Sequence, residues 1–420
     1  MKKKNILLLC AVCVLSLCLF AVLIVYAFIR QEEKDTENPG NQQQGQEDPL
    51  PSGAGQGEEP SPTGGSEPSA TLAPTLTPTP PPTASPAPTP VSDLTYQIPH
   101  DSSDPIILGF AGDVNLDEAY YPVKKYDAEG QDINKCFSAD LLQEMQSADV
   151  MMLNNEFAYS NRGTKEADKS FTFRAKPERV EILEKMGVDI VSLANNHAMD
   201  YGPDALMDTF DTLEEASISY IGAGKDVDRA KAPVYYKVGD KTIAYVAASH
   251  VIFAMDWYAS DTSPGMIGTY DPTMLVESIK EAKANSDYVV VFVHWGVERA
   301  SHPEKYQRNL AKIYVNAGAD AVIGCHPHVM QGIEFYQGKP IAYSLGNYWF
   351  NASTKESGML KLYLKPDGKV DVQLLPAMNK DTRTYLLTDE AEKKNYYSFI
   401  EGLSYDVKID GDGFLTPAKE

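Results

Sequence analysis

The chain has 420 residues and a formal net charge of −22, with 37 Lys and Arg against 59 Asp and Glu. Residues 101–420 alone carry −17, which excludes nucleic acid or an anionic membrane surface as the main partner. Of five cysteines, only Cys136 and Cys325 lie beyond residue 18, so at most one disulfide is available and stability has to come from an apolar core.

Lys2, Lys3 and Lys4 precede residues 5–29, a run of 25 without a charge. A bilayer takes roughly 20 apolar residues to cross, and no small-residue cleavage site follows the run. The expectation is an uncleaved signal anchor over 1–30, with the lysines cytoplasmic and the rest of the chain extracellular. A lipid-modified Cys18 is the alternative, because Leu15, Ser16, Leu17 and Cys18 approach a lipobox. Residues 31–95 read as a disordered Pro/Thr/Gly-rich linker. Fourteen of the 28 prolines lie between residues 31 and 90 and no aromatic does, so this stretch buries too little apolar surface to fold.

From residue 104 onward short apolar runs alternate with amphipathic stretches. Strands are expected at 106–111, 150–153, 188–193, 242–248, 288–293, 321–323 and 341–345. Helices are expected at 139–145, 177–186, 203–215, 272–284 and 303–316, four of them with Pro at the start and the last capped by Gly318. Residues 358–364 and 369–375 form a hairpin turned at Pro366, Asp367 and Gly368. Alternation of this kind implies an α/β fold with a largely parallel sheet, whose ligands sit beyond the carboxyl ends of the strands.

Five of those strand ends carry Asp113, Glu156, Asn196 with His197, His294, and His326 with His328. Carboxylates, imidazoles and an amide carbonyl without a thiolate suit divalent Mn, Fe or Zn. The set exceeds what one ion needs, so two ions bridged by a carboxylate are expected. The stretch Ala-Asp-Ala-Val-Ile-Gly-Cys-His-Pro-His over 319–328 is the densest part of the pattern. Pro327 is expected to hold His326 extended. Cys325 reads as a small packed residue, His250 as a structural histidine, and Trp295 and Trp349 as aromatic core. Asn347 either orients a ligand or makes the turn with Gly346.

The segments GDVNL (112–116), NNEF (154–157), LANNHAMDYG (193–202), HWG (294–296), GADAVIGCHPHV (318–329) and YSLGNYWF (343–350) resemble the capsule synthesis protein CapA family, associated with bacterial poly-γ-glutamate. That family is similar to the calcineurin-like metallophosphatases. The resemblance implies a metallophosphatase-like four-layer α/β/β/α sandwich over 96–380, with 381–420 packing on it or trailing. It also implies Asp113 and His328 on one metal, Glu156 bridging, and Asn196, His294 and His326 on the second. His197 would be the general acid or transition-state donor. Asn115 stands where the metallophosphatase pattern has a histidine, and is either a weak carbonyl ligand or a turn residue.

Three functions fit: a cell-surface metallohydrolase of capsule polymer assembly, retention or turnover; an extracellular metallophosphatase or phosphodiesterase; or a non-catalytic subunit working with other membrane capsule-synthesis proteins. A polyanionic substrate conflicts with a domain of charge −17 unless a local basic feature guides it. Residues 162–179 carry +3, and Arg174 is the residue expected to grip a carboxylate. The alternative is a solvated loop whose charges contribute little.

Overall fold

The structure, a computed structural model, describes residue 85 and residues 88–92 and 94–418. The expected anchor (1–30) and most of the expected linker (31–95) lie outside the described residues. Among the described residues no helix is long and apolar enough to cross a membrane.

Two mixed sheets form an α/β domain. The eight-stranded sheet runs in the order Thr89–Ser92, Thr95–Ile98, Val234–Val238, Lys241–Ser249, Tyr288–His294, Ala321–Cys325, Lys339–Ala342, Ile333–Tyr336. The ten-stranded sheet has Lys355–Leu364, Ile106–Val114, Val150–Asn155, Ile190–Ser192 and Ser219–Ile221 as successive neighbours. The strands that lead to the candidate ligands pair in parallel within each sheet. The alternation of strands and helices marked the elements and implied a largely parallel sheet; among the described residues there are two large mixed sheets and two two-stranded ones.

Period-2 alternation explains how the sheets stack. Leu108, Phe110, Val150, Met152 and Ile190 from one sheet meet Ile243, Tyr245, Val290, Phe292 and Ile323 from the other in a shared core. On the far side of the ten-stranded sheet, Met151, Leu153 and Val191 pack on helices Ala139–Gln146, Val180–Met186 and Pro203–Glu215. On the far side of the eight-stranded sheet, Val246, Val291 and Val322 pack on helices Thr273–Asn285 and Lys305–Ala317. Strands buried on both faces read as continuous apolar runs, which is why Val289 to Val293 carries no polar residue.

Both ends of the described domain add strands to the sheets. Thr89–Ser92 pairs with Thr95–Ile98 inside the stretch expected to be linker; it is an edge strand, the position in a sheet at which a proline such as Pro90 is tolerated. At the other end, Val407–Ile409 and Phe414–Pro417 extend the ten-stranded sheet, and helix Glu390–Leu403 adds Tyr396, Tyr397 and Ile400 to the intersheet core.

Candidate metal centre

The strand Ile106–Val114 delivers Asp113, and its geometry depends on a bare backbone at Gly112. A Cβ there would collide with the carbonyl oxygen of Gly346, while the next residue, Asp113, donates its N–H to that same oxygen at 2.9 Å. This close approach places Asn347 beside the site. Val150–Asn155 delivers Glu156, Tyr288–His294 ends in His294, and the turn after Ala321–Cys325 carries His326 and His328.

Pro327 does not make His326 extended. His326 and His328 have φ of 97° and 57°, both in the left-handed region. The His326 N–H points at the Asp113 carboxylate, 3.3 and 3.4 Å from its oxygens. That tertiary partner overrides the local preference, and strain of this kind costs on the order of 1–3 kcal/mol per residue where the surroundings impose it.

The side chains converge. Ligating atoms of Glu156, His294 and His326 lie within 4.8 Å of one another, and so do those of Asp113, Glu156 and His328. Asp113, Glu156 and His294 have no solvent exposure. Glu156 Oε1 is 3.9 Å from His197 Nε2, 3.9 Å from His294 Nε2 and 3.8 Å from His328 Nε2. These separations exceed a hydrogen bond, and Glu156 Oε1 has no hydrogen-bond partner; neither does His326 Nδ1. A buried carboxylate oxygen ringed by imidazole nitrogens just beyond bonding distance is what shared cations would satisfy. The two triads have Glu156 in common, as a bridging carboxylate would be. Asn196 Oδ1 lies 2.8 Å from His294 Nε2 and so faces the same space. The donor set fits divalent ions.

The electrostatics divide the set: His294, His326 and Asp113 are held in their ligating forms, whereas Glu156 and His328 favour a proton that a bound cation would displace. Burial, followed by Asp113, pushes the Glu156 carboxyl well above the carboxylate range. Burial holds His294 well below the usual imidazole value, and burial with the neighbouring His328 holds His326 down to about 3. Neutral imidazoles are the ligating form. For His328, burial opposes charge, but Glu156 and Asp113 outweigh it and push the pKa up to about 10. Asp113 resists its own burial through the hydrogen bond and charge of His328 and ends below the ordinary value.

Other predicted residues take distinct places. His197 is outside both triads; its Nδ1 lies 2.7 Å from Asp200 Oδ2 and its ring rests on Phe173 with centroids 4.4 Å apart. Asn115 uses Oδ1 to accept the N–H of Asp117 at 2.8 Å, which is its turn-residue form. Arg174 lies over the Tyr201 ring at 4.1 Å and donates to the Arg162 carbonyl at 3.0 Å. The basic residue of that loop that does reach the site is Lys169. Its Nζ contacts the Asn196 carbonyl, Asp200 Oδ1 at 2.5 Å and His197 Nδ1 at 3.0 Å. Trp295 and Trp349 are core, as expected, and donate to the carbonyls of Tyr343 and Thr382. His250 is stacked between Tyr270 and Tyr306 with Nδ1 on Thr269. Cys136 and Cys325 are both free and buried.

Of the residues that aim the ligands, sequence reasoning offered Asn347 as a ligand-orienting residue and missed the rest. Asn154 Nδ2 donates to Asp113 Oδ1 at 2.8 Å and Glu156 Oε2 at 3.1 Å. Asn195 ties Asn154 Oδ1 and the Asn155 carbonyl to the His197 turn. Asn347 accepts the Nδ1–H of His328 at 2.8 Å. Asp200 was visible as a carboxylate three residues after His197; Asn154 and Asn195 needed the sheet register.

Fold and site together define an α/β protein with a buried carboxylate–imidazole cluster, able to hold metal, at the carboxyl edge of its parallel strands. The chain belongs to the bacterial capsule synthesis protein PGA_cap family, whose pattern it matches over residues 107–352. It is 33% identical over 323 residues to the PGA biosynthesis protein CapA of Bacillus subtilis, covering 75% of this chain and 83% of that one. It is 34% identical over 238 residues to the capsule biosynthesis protein CapA of Bacillus anthracis, covering 55% of this chain and 57% of the relative. A probable polyglutamine synthesis accessory protein of Mycobacterium tuberculosis is 29% identical over 213 residues, 49% of this chain and 56% of its own.

Proposed function

We propose that this chain serves the synthesis, retention or turnover of a poly-γ-glutamate capsule as a metallophosphatase-like, dinuclear-metal hydrolase. Residues 5–29 anchor it in the cell membrane and the domain stands outside. Family membership supports the capsule role. The observation behind the hydrolase role is the unpartnered Glu156 Oε1, with three imidazole nitrogens 3.8–3.9 Å away.

In this proposal Asp113 and His328 hold one divalent ion, and Asn196, His294 and His326 hold the other, with Glu156 between them. When bound, such a pair supplies an activated nucleophile and compensates the charge that develops on the scissile group. The chain does the rest. Asn154 keeps both carboxylates aimed inward. Asp200 and Lys169 fix the His197 ring through Nδ1, so Nε2 faces the cluster where the leaving group departs. Phe173 and Phe350 pack on the rings of His197 and His328 and exclude water from that side.

The test uses the full-length chain in detergent. Elemental analysis should find transition metal approaching two ions per chain, and purified protein should shorten γ-linked polyglutamate on a gel. If the polymer is untouched while a simple phosphodiester is cleaved, the activity is that of a phosphoesterase. Loss of neither substrate, with co-purification of other membrane capsule proteins, would make the chain a non-catalytic assembly subunit.

A further inference from the structure

His294 has both ring nitrogens engaged, and the two sides differ in kind. Nε2 lies 2.8 Å from Asn196 Oδ1 and 3.9 Å from Glu156 Oε1, the side on which the proposed ion sits; with no ion there, the amide oxygen accepts a proton held on Nε2, and an ion bound between them takes that proton's place. An imidazole that offers Nε2 to a cation carries its proton on Nδ1, and that N–H needs an acceptor. Two polar side-chain atoms lie near Nδ1: Asn154 Nδ2 at 3.4 Å and Cys325 Sγ at 3.3 Å. An amide nitrogen accepts nothing, and the two hydrogens of Asn154 Nδ2 are engaged by Asp113 and Glu156. Sulfur remains. The thiol hydrogen has its own acceptor in the Val293 carbonyl, with Sγ 3.7 Å away. His294 and Cys325 have 0% exposure, so bulk water cannot replace the sulfur.

The backbone sets this pair. His294 and Cys325 are register partners on adjacent parallel strands, and the next N–H, that of Trp295, donates to the Cys325 carbonyl at 3.1 Å. The separation of ring and thiol is thus fixed by the sheet ladder rather than by a mobile side chain.

We propose that Cys325 is a positioning residue: its sulfur accepts the Nδ1–H of His294 and fixes that ring with the Nε2 lone pair turned to the metal position. This rests on the dinuclear reading above and names the group that selects one ligand's tautomer. Outer groups of this type are worth about 10–100-fold in metal affinity. Because Asp113, His294 and Cys325 also lie within 4.8 Å of one another, direct thiolate ligation is the rival that the test has to separate.

The experiment measures zinc affinity of the full-length chain in detergent by competition with a chelator. Cys325→Ala should bind about 10–100-fold more weakly, and Cys325→Ser, whose hydroxyl still accepts a hydrogen bond, should fall closer to wild type. Equal affinity in wild type and Cys325→Ala overturns the proposal while leaving the dinuclear reading intact. A wild-type chain that binds no ion overturns both. Cobalt-loaded wild type should lack a thiolate-to-cobalt charge-transfer band; its presence, lost in Cys325→Ser, makes the thiol a ligand and overturns the positioning role. Should Cys325→Ala fail to fold, imidazole nitrogen NMR of zinc-loaded wild type decides: His294 protonated at Nδ1 supports the proposal, and protonation at Nε2 overturns it.

Discussion

His197 Nδ1 lies 2.7 Å from Asp200 Oδ2, and Nε2 of the same ring lies 3.9 Å from Glu156 Oε1. One side of the imidazole is therefore tied to an orienting carboxylate and the other faces the cluster. His197 belongs to neither metal triad. His197→Ala should retain most of the bound metal yet lose hydrolysis by about 10²–10⁴-fold, the usual size of a general-acid contribution. Asp200→Asn should lose activity while metal content holds. Parallel loss of metal and activity in His197→Ala would reassign that residue as a ligand.

Removing a bridging group has a different signature. Glu156 contributes to both triads, whereas His326 contributes to one. Glu156→Ala should abolish tight binding of both ions, and His326→Ala should leave the other triad able to hold one. Elemental analysis after gel filtration distinguishes zero, one and two ions per chain. A Glu156→Ala protein that keeps two ions would exclude the bridge.

The glycine of the first motif makes a stability prediction. Gly112→Ala drives a methyl into the Gly346 carbonyl oxygen, which also accepts the Asp113 N–H. Backbone has to move, at a cost of about 1–3 kcal/mol, and the movement displaces Asp113 and Asn347 together. Denaturant midpoint and metal affinity should therefore fall in the same variant. By contrast Gly402→Ala, where no atom approaches a Cβ within 4 Å, should leave metal affinity unchanged.

Much of this site was legible in sequence because ligand types follow apolar β-branched runs, and parallel strands put those ends on one edge. Asp113, Glu156, His294 and the 326–328 pair were found that way. Period-2 alternation gives a strand's two faces but not its neighbours, so the split into two sheets was not readable from the strands. The His326 backbone was misjudged because Pro327 is a local restraint, while the carboxylate that turns the His326 N–H lies 213 residues away in sequence. Lys169 and Arg174 are both basic residues of one loop, and only packing separates the one that enters the site from the one stacked on Tyr201.

Asp189 gives a pH prediction away from the cluster. Burial, only partly offset by the N–H of Met151 donating to Oδ2 at 2.7 Å, raises its pKa from the ordinary carboxylate value to about 7. The folded state then binds a proton that the unfolded chain has already released, so this group's stability contribution declines as pH rises from about 4 through 7. Asp189→Asn keeps an oxygen for Met151 and removes the charge. It should be close to neutral near pH 4 and stabilising at pH 8. Denaturant midpoints of both proteins at the two pH values measure this; a constant difference would show that Asp189 is not the source.

The last prediction separates the two basic residues of the 162–179 loop. Lys169 is 9% exposed in its side chain, its partner Asp200 is 0% exposed, and the rings of Trp257 and Phe253 stand 5.2 and 5.8 Å from Nζ. Taking one partner from a buried pair typically costs about 3–5 kcal/mol, because the other charge stays buried without compensation. Lys169→Met should therefore lower stability, leave Asp200 free to pull the His197 ring from its orientation, and reduce hydrolysis at saturating substrate. The Arg174 guanidinium lies over the Tyr201 ring and donates to the Arg162 carbonyl, outside the cluster. If it touches substrate at all, Arg174→Ala should change only the substrate concentration required, and added salt should shrink that difference by screening. Measuring maximal rate and half-saturating polymer concentration for both variants at low and high salt assigns the roles. A fall in maximal rate for Arg174→Ala with none for Lys169→Met would reverse them, making the exposed guanidinium rather than the buried ammonium the residue that serves the reacting group.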